Sequence, residues 1–272
     1  MCIATIDFQV VINNTGQHNN EKNIMGWLLL ILKSPLVILY ILFGFVVIVT
    51  LHLLAGDKWY QRKAGKLTIR WWMKVLAVLV GLRVHVRGTP VEGLLVANHI
   101  SWLDIMALDT VTAARFVSKD DVLKWPVIGL LPKWSGTFFL QRGSAAAVSR
   151  LNAEIVAALK QNASVAVFPE GTTSSGEEVH RFYSAILQAG IDSKVPVQPV
   201  VIRYYRNGER DTVVPFIGEI SFFEHATLIL RRFQTHVYLD FGEAFIPQEN
   251  NRKALSEHLH QQVEKVFSQP LN

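Results

Sequence analysis

A histidine and a carboxylate lie within one short segment of the sequence, from Asn98 to Asp104. The apolar run from 94 to 97 predicts a strand, and the pattern from 101 to 108 predicts the start of a helix with Ser101 as its N-cap. His99 therefore falls where a strand ends and a helix begins, which is where α/β proteins often carry functional groups. A helix N-terminus disfavours an imidazolium, so we expect a neutral His99 that can accept a proton.

Asp104 follows His99 by five residues, about one turn into the predicted helix. A carboxylate there can bond the far ring nitrogen of the histidine and stabilise the charge that develops during proton transfer. Taken alone, the pair fits a purely structural turn equally well. The chain has no Gly-x-Ser-x-Gly elbow, and its one cysteine, Cys2, precedes the first histidine by many residues. A His–Asp pair without a protein nucleophile suits direct attack by a substrate hydroxyl.

Two further segments could contact a substrate, although each alone would more often be ordinary surface. The first runs from Phe168 to Ser174 and combines an acid, a glycine and three hydroxyl residues after a predicted strand. Gly171 permits close backbone approach, and the hydroxyl groups can bond polar substrate atoms. In the second segment, Arg142 follows the strand predicted from 137 to 140 and could pair with a phosphate.

Together with the proline-rich run from 195 to 200, these segments resemble the glycerolipid acyltransferase family. That family carries four blocks in order: Asn-His-x4-Asp, Gly-x-x-Phe-x-x-Arg, Phe-Pro-Glu-Gly-Thr and a Val-Pro-rich strand. The first and third blocks are specific, and the second and fourth are weak alone. The resemblance covers roughly residues 66 to 215, with the blocks at 98–104, 136–142, 168–172 and 195–200.

The resemblance implies a role for each matching residue. His99 would deprotonate an acceptor hydroxyl, which attacks the thioester of acyl-CoA or acyl carrier protein, and Asp104 would orient His99. Arg142, Glu170 and Gly171 would bind the acceptor, with the hydroxyls of Thr172 and Thr173 beside them. It implies no cofactor and no metal.

Two departures from the family pattern concern the acceptor. Thr173 stands where the branch that makes phosphatidic acid usually has arginine, and Tyr183 stands where that branch tends to have lysine. A desolvated charge-assisted contact contributes about 1.5–3 kcal/mol, so both losses weaken a phosphomonoester site. Cations at Arg181, Lys119 or Lys133 could compensate. Despite these departures, the resemblance makes lysophosphatidic acid (1-acylglycerol-3-phosphate) the leading acceptor, with lyso-ornithine lipid or another lysolipid as the alternative and a lipid hydrolase as a distant third.

An apolar stretch near the start of the chain predicts contact with a membrane. The run from 35 to 54 contains no Lys, Arg, Asp or Glu, and as a helix it would extend roughly 30 Å, the thickness of a bilayer core. It predicts either one spanning helix or a helix pair that dips into one leaflet. Tryptophans and an excess of cations follow it, which places the remaining chain on the cytoplasmic side of the inner membrane. These cations are Lys58, Arg62, Lys63, Lys66, Arg70 and Lys74.

The predicted organisation is a disordered leader over 1–24, a membrane anchor over 25–60 and an acyltransferase domain over 61–272. Met25 opens the apolar part and could be the true start of the protein. Strands alternate with helices after residue 80, which predicts a mixed α/β fold with a mostly buried sheet flanked by helices. Pro196 and Pro199 predict a sheet edge or an irregular start for the strand over 195–202. The net charge of +5 comes without nucleic-acid-binding motifs, so we expect lipid and acyl-donor partners and no nucleic acid.

Overall fold

The computed structural model describes residues 8–56, 59–119, 134–140 and 145–271, with side chains at 24–56, 59–118, 134–140 and 146–271. Its centre is one mixed sheet with the strand order β1-β8-β6-β2-β5-β3-β4, and the short β7 pairs with β6. The strands are β1 (Leu82–Arg87), β2 (Leu94–Ala97), β3 (Arg115–Lys119), β4 (Phe138–Leu140), β5 (Val165–Val167), β6 (Val197–Arg206), β7 (Glu209–Arg210) and β8 (Thr235–Phe241).

Helices flank this sheet and precede it. They are α1 (Phe8–Ala55), α2 (Lys63–Val80), α3 (Leu103–Asp109), α4 (Ala145–Leu159), α5 (Gln188–Ser193), α6 (Phe222–Leu230) and α7 (Arg252–Phe267), with short 3-10 helices at Trp59–Gln61 and Ser184–Leu187. Strands β2, β5, β3 and β6 run parallel to one another, whereas β8 runs antiparallel to β6. The fold prediction is confirmed: a mixed, mostly buried sheet is flanked by helices and preceded by an apolar helix.

The parallel central strands bring the two main motifs to one edge of the sheet. β2 pairs with β5, so the segments that follow Ala97 and Val167 emerge side by side. We call this edge the catalytic edge, after the role predicted for these motifs. All four residues of β2 and all three of β5 are buried, because both faces of a parallel sheet are covered and its strands read as continuous apolar runs.

The two prolines of β6 lie at an irregular start of an interior strand, which is the second of the two arrangements predicted. β6 begins at Val197, after Pro196, and its ladder with β8 begins only at Val200. Before that point Pro199 accepts a hydrogen bond from the Gly242 N–H, outside the regular ladder. No β8 residue therefore requires a backbone N–H donor at position 199. An interior strand can carry proline at such a position.

Helix α1 is long and weakly covered. Residues Ile24–Ala55 form a stretch of 32 residues that is long and apolar enough to cross a membrane. Only 11% of its most apolar 18-residue segment is buried. The backbone of α1 begins at Phe8, whereas the sequence predicted a disordered leader over 1–24. The segment contains no proline before Pro35, so nothing in it interrupts helical hydrogen bonding. The boundaries at 24 and 60 stay predictions.

Candidate active site

The turn between β2 and α3, which we call the catalytic turn after its predicted role, holds His99 and Asp104 in contact. The Asp104 carboxylate accepts the Nδ1 hydrogen of His99 at 2.8 Å, and the same oxygen, Oδ2, accepts the backbone N–H groups of Ile100 at 2.7 Å and Ser101 at 3.0 Å. Asp104 is fully buried, and the His99 side chain is 19% exposed. Because Nδ1 carries the proton that Asp104 accepts, Nε2 of the neutral ring has a lone pair free to accept another.

The same carboxylate caps the start of α3, so the prediction of Ser101 as the N-cap is wrong. The helix begins after Trp102 without a side-chain cap bond. The Ser101 hydroxyl is buried and makes no hydrogen bond to the described residues. Asp104 instead reaches back from the first turn of α3 to the N–H groups of Ile100 and Ser101, which precede the helix.

Asn98 fixes the strand side of this turn. Its side-chain amide donates to the Ile202 carbonyl at 2.9 Å and accepts from the Ile202 N–H at 2.7 Å. These two bonds extend the pairing of β2 with β6 beyond Ala97 through a side chain. The turn is thus held from the neighbouring strand as well as from α3.

Tyr204 on β6 is a site residue that the sequence did not reveal. Its buried hydroxyl donates to Oδ1 of Asp104 at 2.8 Å. Burial, together with the charge of Asp104 and this hydrogen bond, raises the pKa of Tyr204 well above its ordinary value, so the hydroxyl remains a donor. With this bond Asp104 accepts four hydrogen bonds, which leaves the carboxylate little freedom to turn. No motif signals Tyr204, because it lies 100 residues from Asp104 along the chain.

Glu170 lies beneath the catalytic turn rather than at its surface. One carboxylate oxygen accepts the His99 N–H at 2.7 Å and the other accepts the His180 N–H at 3.1 Å. Burial raises the pKa of Glu170 to about 7, against the opposing effect of these two N–H groups. Glu170 is 2% exposed, so this geometry does not support the predicted direct contact with an acceptor. It joins the 168–174 loop to the backbone of His99.

The rest of the 168–174 loop surrounds His99. The Phe168 ring stacks on the imidazole with 4.1 Å between centroids, and the Ser174 N–H donates to the His99 carbonyl at 2.8 Å. Gly171 has a φ of +69°, a conformation that favours glycine. Gly171 and Thr172 are exposed, which places them where a substrate could reach them.

Neither of the two positions that depart from the family pattern offers a cation. The Thr173 hydroxyl donates to the Phe216 carbonyl, so it ties the loop to the segment before α6. Tyr183 is 62% exposed. Arg181 is exposed nearby in the sequence, whereas Arg142 and Lys133 lie outside the described residues, as does the side chain of Lys119.

Trp102 connects the catalytic turn to α6. Its indole N–H donates to Nδ1 of His225 at 2.9 Å, and Nε2 of His225 lies 3.1 Å from the Val213 carbonyl. Burial lowers the pKa of His225, so the neutral ring can accept from Trp102 and donate to Val213 at once. The ring of Phe222 packs against Trp102 at 5.1 Å.

Known proteins resemble this chain over the same region. The family model described as Acyltransferase matches residues 83–203, which include His99, Asp104 and Glu170. The lyso-ornithine lipid O-acyltransferase of Pseudomonas aeruginosa is 36% identical over 197 residues, 71% of this chain and 76% of that protein. This chain belongs to the acyltransferase family. The 1-acyl-sn-glycerol-3-phosphate acyltransferase of Neisseria meningitidis serogroup B is 32% identical over 201 residues, 71% of this chain and 78% of that protein.

A solved structure shares the fold of this acyltransferase. The 1-acyl-sn-glycerophosphate (LPA) acyltransferase PlsC from Thermotoga maritima superposes with a TM-score of 0.64 at 22% sequence identity, over 92% of this chain and 100% of that chain. The predicted resemblance to the glycerolipid acyltransferases is thereby confirmed. The roles of individual residues remain to be assigned from the geometry.

Proposed function

We propose that this acyltransferase moves a fatty acyl group from acyl-CoA or acyl carrier protein to the hydroxyl of a lysolipid. The observation that carries the proposal is the hydrogen bond from His99 Nδ1 to the buried Asp104, because it directs the unprotonated Nε2 away from the carboxylate. Nε2 takes the proton of the acceptor hydroxyl while that oxygen attacks the thioester carbonyl. The new ester C–O bond forms, the C–S bond breaks, and the proton passes from His99 to the departing thiolate.

The other polar residues of the site support this proton transfer in different ways. Asp104 stabilises the imidazolium that forms, and Tyr204 holds the second oxygen of Asp104. We assign Glu170 to positioning, since it holds the backbone of His99 and of His180. Gly171, Thr172 and Thr173, with Arg142 from the second motif, are the groups we expect along the acceptor headgroup.

The headgroup of the acceptor distinguishes two candidates, and we propose lyso-ornithine lipid as the first, which reverses the order expected from the sequence. The loop beside His99 carries a threonine hydroxyl bonded to Phe216 and an exposed tyrosine at the two positions discussed above. A phosphomonoester carries nearly two negative charges and needs cations there, whereas the ornithine headgroup brings its own cation. The P. aeruginosa relative is named for that acceptor. The second candidate is 1-acylglycerol-3-phosphate, which would give phosphatidic acid, and the N. meningitidis relative is named for it.

We further propose that α1 is embedded in one leaflet of the inner membrane, with the catalytic domain on the cytoplasmic side. Contacts with the domain occur at both ends of its apolar part. Near the start, Lys33 Nζ donates to the Val80 and Arg232 carbonyls at 3.0 and 2.7 Å. Near the end, the His52 ring stacks on Trp134 at 5.5 Å. Contacts with the domain at both ends of this part favour a position along the domain over a crossing of the bilayer away from it.

The test is acyl transfer by the purified full chain, with labelled acyl-CoA or acyl carrier protein offered to both acceptors. We expect acylated ornithine lipid to form faster than phosphatidic acid. His99→Ala should lose about 10²–10⁴ of the rate, as expected for loss of a general base. His258→Ala, a change at an exposed histidine on α7, is the matched control. Faster formation of phosphatidic acid would reverse the order of acceptors, and release of free fatty acid without any acceptor would instead indicate a hydrolase.

A further inference from the structure

Acyl transfer leaves one apolar surface beside the active site without a role. It consists of side chains on α6 and on the segments that flank it, and we call it the α6 surface. Its members are Ile217, Phe223, Leu228 and Phe233, which are 47%, 70%, 40% and 71% exposed. Phe223 and Phe233 each keep most of their area in water, which is costly for a soluble domain, and exposed apolar residues of this kind mark contact sites.

Helix α6 is stably built, so these side chains are not exposed by loose packing. A capping box begins the helix, in which the Ser221 side chain accepts from the Glu224 N–H and the Glu224 carboxylate accepts from the Ser221 N–H. His225 and Ile229 are buried on its inner face. The exposure of Phe223, on the side of the helix away from His225 and Ile229, therefore follows from the position of the helix in the fold.

The α6 surface continues into the apolar part of α1. The Arg231 guanidinium lies over the Trp27 ring at 4.5 Å, just after α6 ends. Six residues further along α1, Lys33 donates to the Arg232 carbonyl. Exposed apolar residues of α1 lie at this same level, with Trp27, Leu28 and Ile31 at 50%, 56% and 67% exposure.

The α6 surface also lies on the catalytic edge. β8 runs antiparallel to β6 and begins at Thr235, beside the end of β6. Phe233 comes just before β8, so it lies at the same end of the sheet as His99. At the other end of α6, the Phe222 ring packs on Phe223 at 5.7 Å and on Trp102 at 5.1 Å. Trp102 is three residues from His99, so α6 and the catalytic turn form one connected unit.

We infer that the α6 surface inserts into the interfacial layer of the membrane, as a second contact in addition to α1. Aromatic rings settle at this depth, and cations such as Arg231 extend to the headgroups from beside them. The second contact holds the catalytic edge at the depth of the lysolipid headgroup, so the acceptor hydroxyl reaches His99 without leaving the bilayer. The inference rests on the membrane association proposed above.

A fluorescent label tests the position of the surface directly. In a Cys2→Ser background, Phe223→Cys and Phe233→Cys are labelled with an environment-sensitive dye. Val86→Cys is the control, because Val86 is exposed on β1 and pairs with Leu239, toward the end of β8 that is far from Phe233. The full chain is placed in vesicles of phosphatidylethanolamine and phosphatidylglycerol with lipids brominated near the glycerol end. We expect quenching at 223 and 233 and none at 86. Equal quenching at all three sites, or none at 223 and 233, would overturn the inference.

A second measurement separates membrane contact from chemistry. The double variant Phe223→Ser, Phe233→Ser should lose about tenfold or more of the rate on a long-chain lysolipid held in vesicles, and retain the rate on a short-chain, water-soluble acceptor. Val86→Ser should retain both rates. Equal loss on both acceptors would show that α6 only supports the fold of the site, and would overturn the inference. Failure of the wild type to acylate either acceptor would refute the proposed function, while the quenching result would remain readable.

Discussion

The substitution Asp104→Asn removes one charge from the site and leaves its geometry in place. Oδ2 of Asp104 accepts three N–H groups, from His99, Ile100 and Ser101, whereas Oδ1 accepts only the rotatable hydroxyl of Tyr204. The asparagine amide therefore has one favourable orientation, with its oxygen toward the three N–H groups and its NH2 toward Tyr204, whose hydroxyl can turn to accept. The N–H groups of Ile100 and Ser101 keep the amide oxygen facing His99 Nδ1. Nδ1 therefore keeps its proton, and the histidine tautomer is preserved.

The expected loss of activity follows from this orientation. A hydrogen bond to a charged group contributes about 1.5–3 kcal/mol, and each 1.36 kcal/mol changes the rate tenfold. Loss of the carboxylate charge should thus lower kcat about 10- to 150-fold. It should not reach the loss of about 10⁴ seen in serine proteases when the same substitution traps the wrong tautomer.

Steady-state kinetics with a saturating acyl donor provide the assay, and Asp109→Asn provides the control. Asp109 is also buried on α3, and burial raises its pKa to about 8, so asparagine closely replaces a carboxyl group that is mostly protonated at neutral pH. The control should keep its rate within about twofold. Full activity of Asp104→Asn would refute the electrostatic role of Asp104. A loss of 10⁴ or more would refute the argument that the backbone groups fix the tautomer.

Three further predictions concern other parts of the same structure. Tyr204→Phe removes the hydrogen bond to Oδ1 of Asp104 and should lower kcat about tenfold with little change in KM. The control Tyr205→Phe should leave kcat unchanged. Equal effects of the two variants in steady-state kinetics would contradict the role of Tyr204. Glu170 has a pKa raised from 4.5 to about 7, so the stability it contributes is present below pH 4.5 and lost as the pH rises through 7. The unfolding free energy of the wild type relative to Glu170→Gln should fall by about 3 kcal/mol across that range, measured by urea unfolding in detergent; a constant difference would refute it. Lys33→Met removes the bonds from α1 to three carbonyls, those of Val80, Arg232 and Phe233, and should cost about 1–3 kcal/mol of stability by thermal unfolding, whereas the exposed Lys63→Met should cost little. Equal costs would contradict the role of Lys33.

The sequence by itself was sufficient for the family and for the most local part of the site. His99 and Asp104 are five residues apart, and a strand followed by a helix leaves few ways to arrange them, so their contact was predictable from spacing. The apolar stretch and the fold class were equally readable, because they depend on composition and periodicity along the chain.

The long-range partners of these residues were decided by the tertiary structure. Tyr204 and Glu170 reach the catalytic turn because β6 and β5 are the two neighbours of β2 in the sheet, and strand order is not encoded in any local pattern. The predicted role of Glu170 in direct acceptor contact followed from its position in a motif, whereas its burial became apparent only once the turn above it was formed.

The same limit applies to α6. The sequence predicted no element there, although the capping box is local, and nothing along the chain indicated that α6 would lie between Trp102 and the apolar part of α1. A hydrophobic pattern states how often apolar residues recur, and it does not state which of them a neighbouring element will cover. Whether Phe223 and Phe233 are buried or exposed is therefore decided by packing between elements distant in sequence, and that packing exists only in the folded chain.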